Sequence, residues 1–321
     1  MKHLAALAFL CLGIAVSAGQ PLDLRWDSGA EECRTPAQAI TESRSFEVAT
    51  FIIRQNPCVD FEANVLYLLL GDRRALLVDS GASEDPAHTA ALVKLIDGLR
   101  VRPDGTRLPL TVVHTHRHSD HRAGDAALAA APVVDVAPIE DEAMRKFLGL
   151  VNWPDGIASI DLGGRIVDVI PAPGHHSGHV VFYDRRTRLL LTGDFLLPGR
   201  LLVDDLDAYR ASAGRVVAFV ATHPVSHVLG AHIELDASGE LYPHGATLHA
   251  NERDLALSVD DVQSLPAALA DFNGFYSAHP NYVVENPMHN LAVLAAGVLL
   301  FLVLAVWIVR WLWKRRRPSG N

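Results

Sequence analysis

With 321 residues, half of them apolar, the chain has ample material for one large core or two small ones. Its formal charge of −9 rests on 37 acidic and 28 basic residues. Setting aside Lys2 and the five basic residues after Val309 leaves residues 19–290 at −15, which speaks against a nucleic-acid partner.

In chain order, Lys2 and His3 precede an uncharged apolar run, 4–16, closing on Val16-Ser17-Ala18. This is the pattern of a secretory signal peptide, residues 1–18, cleaved after Ala18; an uncleaved anchor is the rival reading. Cleavage removes Cys11 and leaves Cys33 and Cys58, an even number in an oxidising compartment, for which a disulfide is expected and two free thiols are the alternative. Residues 19–45 read as a polar N-terminal arm. Strands follow at 46–54, 65–70 and 75–78, with a hairpin turn at Gly71-Asp72-Arg73-Arg74. Runs that are apolar at every position imply sheets covered on both faces. Pro86 opens a helix on which Leu92, Leu95, Ile96 and Leu99 recur at helical spacing.

The apolar run 108–113 ends in His114-Thr115-His116-Arg117-His118-Ser119-Asp120-His121, four imidazoles and a carboxylate in eight residues. Where a strand enters a tight loop, positions two apart share a side, so His116 and His118 can reach one ion, and Asp120 and His121 a second. Imidazole and carboxylate suit zinc, and a catalytic zinc takes about three protein ligands and a water, so further ligands must come from elsewhere. Pro173-Gly174-His175, Leu191-Thr192-Gly193-Asp194 and Leu229-Gly230-Ala231-His232 each put a His or Asp where an apolar run breaks. His114 and His179 read as structural.

Residues 140–151 form a helix before the loop carrying Trp153, placed where it can line a pocket. Asp204 or Asp205 caps a helix with Leu206, Tyr209, Ala213, Val216 and Val220 on one face. Arg200, Tyr209 and Arg210 are candidates for holding a polar or anionic substrate group. Segment 234–252 is expected to be a lid or pocket wall, 258–272 a last helix and 276–290 a tether. Nineteen uncharged residues, 291–309, span about 30 Å as a helix, the thickness of a bilayer core. Arg310 and Lys314 to Arg317 follow, with Trp307, Trp311 and Trp313 at the boundary. The reading is a transmembrane helix at 291–313 and a cytoplasmic basic tail at 314–321, which the positive-inside rule pairs with an extracytoplasmic domain.

Val78-Asp79-Ser80-Gly81, the His-x-His-x-Asp-His run from His116 to His121, His175, Asp194 and His232, taken in order, resemble the metallo-β-lactamase superfamily over residues 46–232. The resemblance implies an α/β fold, the four-layer αββα sandwich, over 46–275. It implies two Zn2+, with iron or mixed iron and zinc as the alternative. His116, His118 and His175 would hold the first ion and Asp120, His121 and His232 the second. Asp194 would bridge them, with Asp79 and at most His176 supporting ligands from behind. The implied chemistry is attack by a metal-bridging hydroxide on an ester, thioester or lactone, Asp120 and Asp194 serving catalysis. β-Lactamase branches place Cys or Ser where Asp194 stands, so the ligand set is closer to glyoxalase-II-like and lactonase-like hydrolases. A β-lactamase, an iron-dependent persulfide dioxygenase and a non-catalytic zinc-bound sensor are the competing readings. The expected partners are a small-molecule substrate and the lipid bilayer, on the periplasmic side of a bacterial inner membrane.

Overall fold

Strands that are apolar at every position need cover on both faces, and four layers supply it. The computed structural model describes residues 22, 24–33 and 40–315. The expected signal peptide, 1–18, and the tail beyond Arg315 lie outside the described residues.

The first sheet takes β1 (Thr41–Glu47), β2 (Thr50–Gln55), β3 (Val65–Leu70), β4 (Ala75–Val78), β5 (Leu110–Val113) and β6 (Val134–Val136) in that spatial order. Along β3 the side chains alternate: Leu66 and Leu68 pack with Leu92 and Ile96 of α1 (Pro86–Leu99) and Leu128 of α2 (Asp125–Ala129). Tyr67 and Leu69 turn the other way. There, with Val78 and Val113, they meet Val167, Val169, Phe182, Leu189, Leu191 and Leu229 of the second sheet.

A short helix, α3 (Asp141–Leu148), leads to β7 (Ala158–Asp161), β8 (Ile166–Pro171), β9 (Val180–Asp184) and β10 (Leu189–Gly193). After β11 (Arg200–Leu202) and α4 (Leu206–Val220), the chain returns to the second sheet as β12 (His227–Gly230) and β13 (Ala256–Leu257). The sheet order is β13-β12-β10-β9-β8-β7. Its outer face, including Val181, Tyr183, Leu190 and Val228, is covered by α4 and by Leu265 and Leu269 of α5 (Val259–Asp271). The α/β sandwich expected from the sequence is the fold observed.

Three boundaries differ from the sequence reading. The arm assigned to 19–45 ends in β1, an edge strand whose polar side chains hide it from a search for apolar runs. A turn at Val48 and Ala49, the latter at φ 67°, separates β1 from β2, so 46–54 is not one strand. The stretch 276–290 is folded rather than a tether. β14 (Tyr276–Ala278) and β15 (Val283–Glu285) form a three-stranded sheet with β11, and α6 (Pro287–Arg315) starts two residues later. β14 owes its order to pairing with β15, and β15 in turn to pairing with β11, 80 residues or so upstream, which no local pattern announces. Cys33 and Cys58 form a disulfide with Cα atoms 5.3 Å apart, tying the N-terminal segment to the loop after β2.

Candidate metal centre

Parallel pairing brings the ends of distant strands together. β4 and β5 run parallel with Val78 opposite Val113, so Asp79 and the His-rich loop leave the sheet side by side. β10 and β12 run parallel with Gly193 opposite Gly230, which does the same for Asp194 and His232. His175 sits in the β8–β9 connection. There Gly174, at φ 145°, admits α4 so closely that a Cβ would lie 2.3 Å from the Tyr209 ring. Backbone N–H groups of Asp204 and Asp205 donate to the Gly174 carbonyl at 2.9 Å, and the Ser212 hydroxyl to that of Pro173 at 2.7 Å. The N-terminal turns of α4 thus set the loop's height.

Seven side chains converge in two groups, His116–His118–His175 and Asp120–His121–Asp194–His232, each with donor atoms within 4.8 Å of one another. His175 Nε2 lies 3.2 Å from both His116 Nε2 and His118 Nδ1. Donors about 2.1 Å from a tetrahedral zinc stand about 3.4 Å apart, so the spacing fits the ion. Asp194 faces both groups: Oδ2 is 3.5 Å from His175 Nε2 and 3.4 Å from His121 Nε2, while Oδ1 is 3.2 Å from His232 Nε2.

The outer ring atoms decide which nitrogens carry lone pairs inward. His175 Nδ1 donates to the Leu202 carbonyl at 3.0 Å, His232 Nδ1 to the Glu62 carbonyl at 2.8 Å, and His121 Nδ1 to Asp79 Oδ2 at 2.9 Å. With those hydrogens spent, each of the three, in its neutral form, turns an Nε2 lone pair to the cluster. Asp79 also accepts from Thr115 N at 2.8 Å and is itself held at φ 65°. His121 Nε2 and Asp194 Oδ1 are buried without an aligned hydrogen bond, although carboxylate or imidazole atoms lie within 3.2 Å of them. Crowded, inward-facing donors lacking hydrogen-bond alignment are what a cation would satisfy, and the residues fit a divalent metal.

Electrostatics separates the two groups. Burial holds His116 and His118 below the usual imidazole range, aided by neighbouring imidazoles. Burial would do the same to His121 and His232, yet the adjoining carboxylates, Asp120 and Asp194, push both well above it. Asp194 and Asp120 are correspondingly held below the carboxylate range by His121 and His232, against burial.

A cleft of about 400 Å³ opens over the cluster. Its walls carry Glu62, Glu234, Glu285 and Arg200, with Leu197, Leu202, His244 and Pro287. Burial raises Glu62 and Glu285. Arg200 is there as expected, but its guanidinium is engaged by Glu234 at 3.1 Å and by the Tyr242 carbonyl at 2.7 Å. These bonds, with Thr247 Oγ1 to the Ala30 carbonyl at 2.8 Å, pin segment 234–252 as a wall rather than a lid.

Three candidates fall elsewhere. Tyr209 is fully buried with its hydroxyl donating to the Phe195 carbonyl, because the apolar face of α4 turns it into the core. Arg210, one position round, caps α5 through the Leu269 carbonyl at 2.9 Å. Trp153 packs beside the inter-sheet core under the Arg145 guanidinium, 4.2 Å from its ring centre, and does not line the cleft. His176 backs His118, with ring centres 5.3 Å apart, and accepts from Arg117 Nε at 2.7 Å; burial first, then His118, lowers it to about 4. His179 is buried and stacked on His116 at 5.0 Å, and His114 bonds to Asp125 at 2.8 Å. Sequence reasoning missed Glu62, Glu234, Glu285 and Asn64, whose Nδ2 donates to Asp120 at 3.4 Å. None sits in a motif.

A family model described as the metallo-beta-lactamase superfamily matches residues 59–270. Hydroxyacylglutathione hydrolase of Dechloromonas aromatica is 29% identical over 251 residues, covering 74% of this chain and 86% of that one. The Stenotrophomonas maltophilia protein of the same name is 29% identical, covering 68% and 83%. Among solved structures, a metallo-beta-lactamase of Pseudomonas aeruginosa in its mono-zinc form aligns with TM-score 0.51 over 73% of this chain and 97% of that one. At 13% identity, that likeness speaks for the fold alone.

Proposed function

The chain belongs to the metallo-beta-lactamase superfamily and is a metal-dependent hydrolase, and from that premise we propose a membrane-anchored, extracytoplasmic di-zinc enzyme that cleaves an ester, thioester or lactone. The observation that carries this reading is the position of Asp194 between the two donor groups, with Oδ2 within 3.5 Å of His175 in one and of His121 in the other, and Oδ1 3.2 Å from His232. His116, His118 and His175 would hold one ion and Asp120, His121 and His232 the other, with Asp194 between them. Bound there, the metal would lower the pKa of water far enough to supply hydroxide near neutral pH and would polarise a carbonyl.

The rest falls to the chain's own groups. Asp79, Leu202 and Glu62 fix the imidazoles through the hydrogen bonds described, so the donors need little rearrangement when a substrate enters. Asp120 Oδ2, held by Asn64 and deprotonated at neutral pH, is placed to take a proton from the attacking water and return it to the leaving atom.

The relatives' name supports a thioester, but the cleft argues against glutathione itself. Glutathione is anionic, whereas Glu62, Glu234 and Glu285 line the walls and the one arginine there is already paired with Glu234. The acyl group is therefore assigned to an uncharged or cationic leaving group. Turnover of the purified, zinc-loaded full chain on matched thioesters, esters, lactones and nitrocefin tests this. Neutral thioesters or esters should react at least tenfold faster than their glutathione counterparts, and preferential nitrocefin cleavage would replace the proposal with a β-lactamase. Iron in place of zinc would point to the dioxygenase reading.

A further inference from the structure

The entrance to the cleft and the start of the apolar helix are one structure. Glu285, the last residue of β15, and Pro287, the first of α6, both line the cleft that holds the metal-binding cluster. Only Asn286 lies between them. β15 is hydrogen-bonded in parallel to β11, with Leu201 opposite Val284, and the next residue of β11, Leu202, accepts the His175 Nδ1 hydrogen. The foot of α6 is fastened as well. Asn290 Nδ2 donates to the Phe275 carbonyl at 3.1 Å, His289 N to Asn286 Oδ1 at 2.8 Å, and the His289 and Phe275 rings meet at 4.9 Å. The joint therefore transmits the helix's position to the site without slack.

Residues Pro287–Trp313 have a mean hydropathy of 3.0 over their most apolar window, and none of that window is buried by the rest of the chain. An apolar surface of that length matches the hydrocarbon core of a bilayer. From Pro287 to Leu291, where the uncharged run starts, is four residues, or about 6 Å of helix. The headgroup layer is about 5–8 Å deep on each side of the hydrocarbon. With Leu291 at the edge of the hydrocarbon, the cleft entrance would fall within the headgroup layer. At the foot of α6, where Phe275 meets His289 and Asn290, the side chains of Phe275, Tyr276 and Met288 are exposed by 41%, 49% and 67%, and an interfacial setting suits such apolar and aromatic groups.

Resting on the membrane-anchored hydrolase reading above, we propose that the cleft opens at the lipid–water interface and that its substrate is a long-chain acyl ester or thioester lodged in the leaflet on the domain's side. The alkyl chain stays among the lipids beside α6, and the carbonyl rises past Pro287, Leu202 and Leu197 to the cluster. In the reaction, the oxygen of water bonds to the acyl carbon. The bond from that carbon to the leaving oxygen or sulfur breaks, the leaving atom takes a proton, and the fatty acid remains in the membrane. A site filled from bulk water would gain nothing from an entrance held at this depth.

The full chain, zinc-loaded and reconstituted in phosphatidylcholine vesicles, provides the test. One readout is depth: a fluorophore on Met288→Cys should be quenched more by headgroup nitroxides than by nitroxides deep in the acyl chain. The other is turnover of a two-carbon and a sixteen-carbon thioester of the same neutral thiol, compared with a variant carrying a 20-residue Gly/Ser spacer between Asn290 and Leu291. Such a spacer adds roughly 25 Å of slack while leaving the bonds at the foot of α6 intact. The spacer should reduce kcat/KM on the embedded sixteen-carbon substrate at least tenfold and leave the soluble two-carbon substrate unchanged. Equal rates on the embedded substrate with and without the spacer, or a vesicle-bound protein whose label no nitroxide reaches, would overturn the interfacial proposal. Failure to turn over either thioester removes the thioester reading beneath it, and failure to float with vesicles removes the anchor.

Discussion

Asp79 shows how one residue that belongs to neither donor group can govern the cluster. Its carboxylate accepts from His121 Nδ1 and from Thr115, fixing the tautomer that turns His121 Nε2 inward. Asp79→Asn removes the charge and offers an N–H where acceptors are needed, so zinc affinity should fall about 10- to 100-fold with the fold intact, as competition with a chromophoric chelator would read. His116→Ala should abolish turnover while circular dichroism stays that of the parent; near-normal rates would contradict the assigned role. Proton linkage gives a third expectation. His121 and His232, pushed up by Asp120 and Asp194, carry protons at neutral pH in the metal-free chain. Loading metal must release them, so apparent affinity weakens as pH falls. Calorimetry in buffers of different ionisation enthalpy should show net proton release, and its absence would contradict the assignment. The clustered side chains were legible in the sequence because they stand where apolar strands stop. Tyr209 and Arg210 were misjudged because adjacent helical positions point about 100° apart, one into the core and one toward α5. Glu62, Glu234 and Glu285 reach the cleft only through tertiary packing, which no spacing encodes.

Between elements, the two sheets are held by more than apolar contact. Arg165 and Asp184, both fully buried, pair at 2.7 Å across the β8–β9 end of the second sheet. Arg165 also donates to the Ala49 carbonyl at 2.7 Å and the Leu70 carbonyl at 3.2 Å, at the two hairpin turns of the first sheet. Asp184→Asn leaves a buried, uncompensated guanidinium and should cost about 3–5 kcal/mol. Burial would raise Asp184, but Arg165 holds it below its ordinary value. A depressed carboxylate stabilises above its unfolded pKa and loses that contribution as pH falls through the folded one. Urea midpoints should therefore differ between parent and variant at pH 7 and converge in acid; a constant difference would contradict the ion pair. Long strands were legible because two-sided burial makes them apolar throughout. β1 was not, being a polar edge, and β14 and β15 were not, because three residues carry no period and Pro280 and Pro287 look like a linker.

Over the whole molecule, both ends of the sequence reading meet at one place. The donor groups close over the joint of four strand ends, and the apolar C-terminal helix starts at the rim of the same cleft. Long apolar runs made the sandwich and the helix readable without coordinates, whereas their contact arises from the small third sheet that the sequence concealed. The central claim is that seven side chains hold two zinc ions that do the chemistry. Elemental analysis of the purified full chain, paired with thioester turnover before chelation, after it and after readdition of metal, tests that most directly. Two zinc equivalents per chain and activity that vanishes and returns with them are predicted; undiminished turnover by metal-free protein, or a single iron with no zinc, would contradict it.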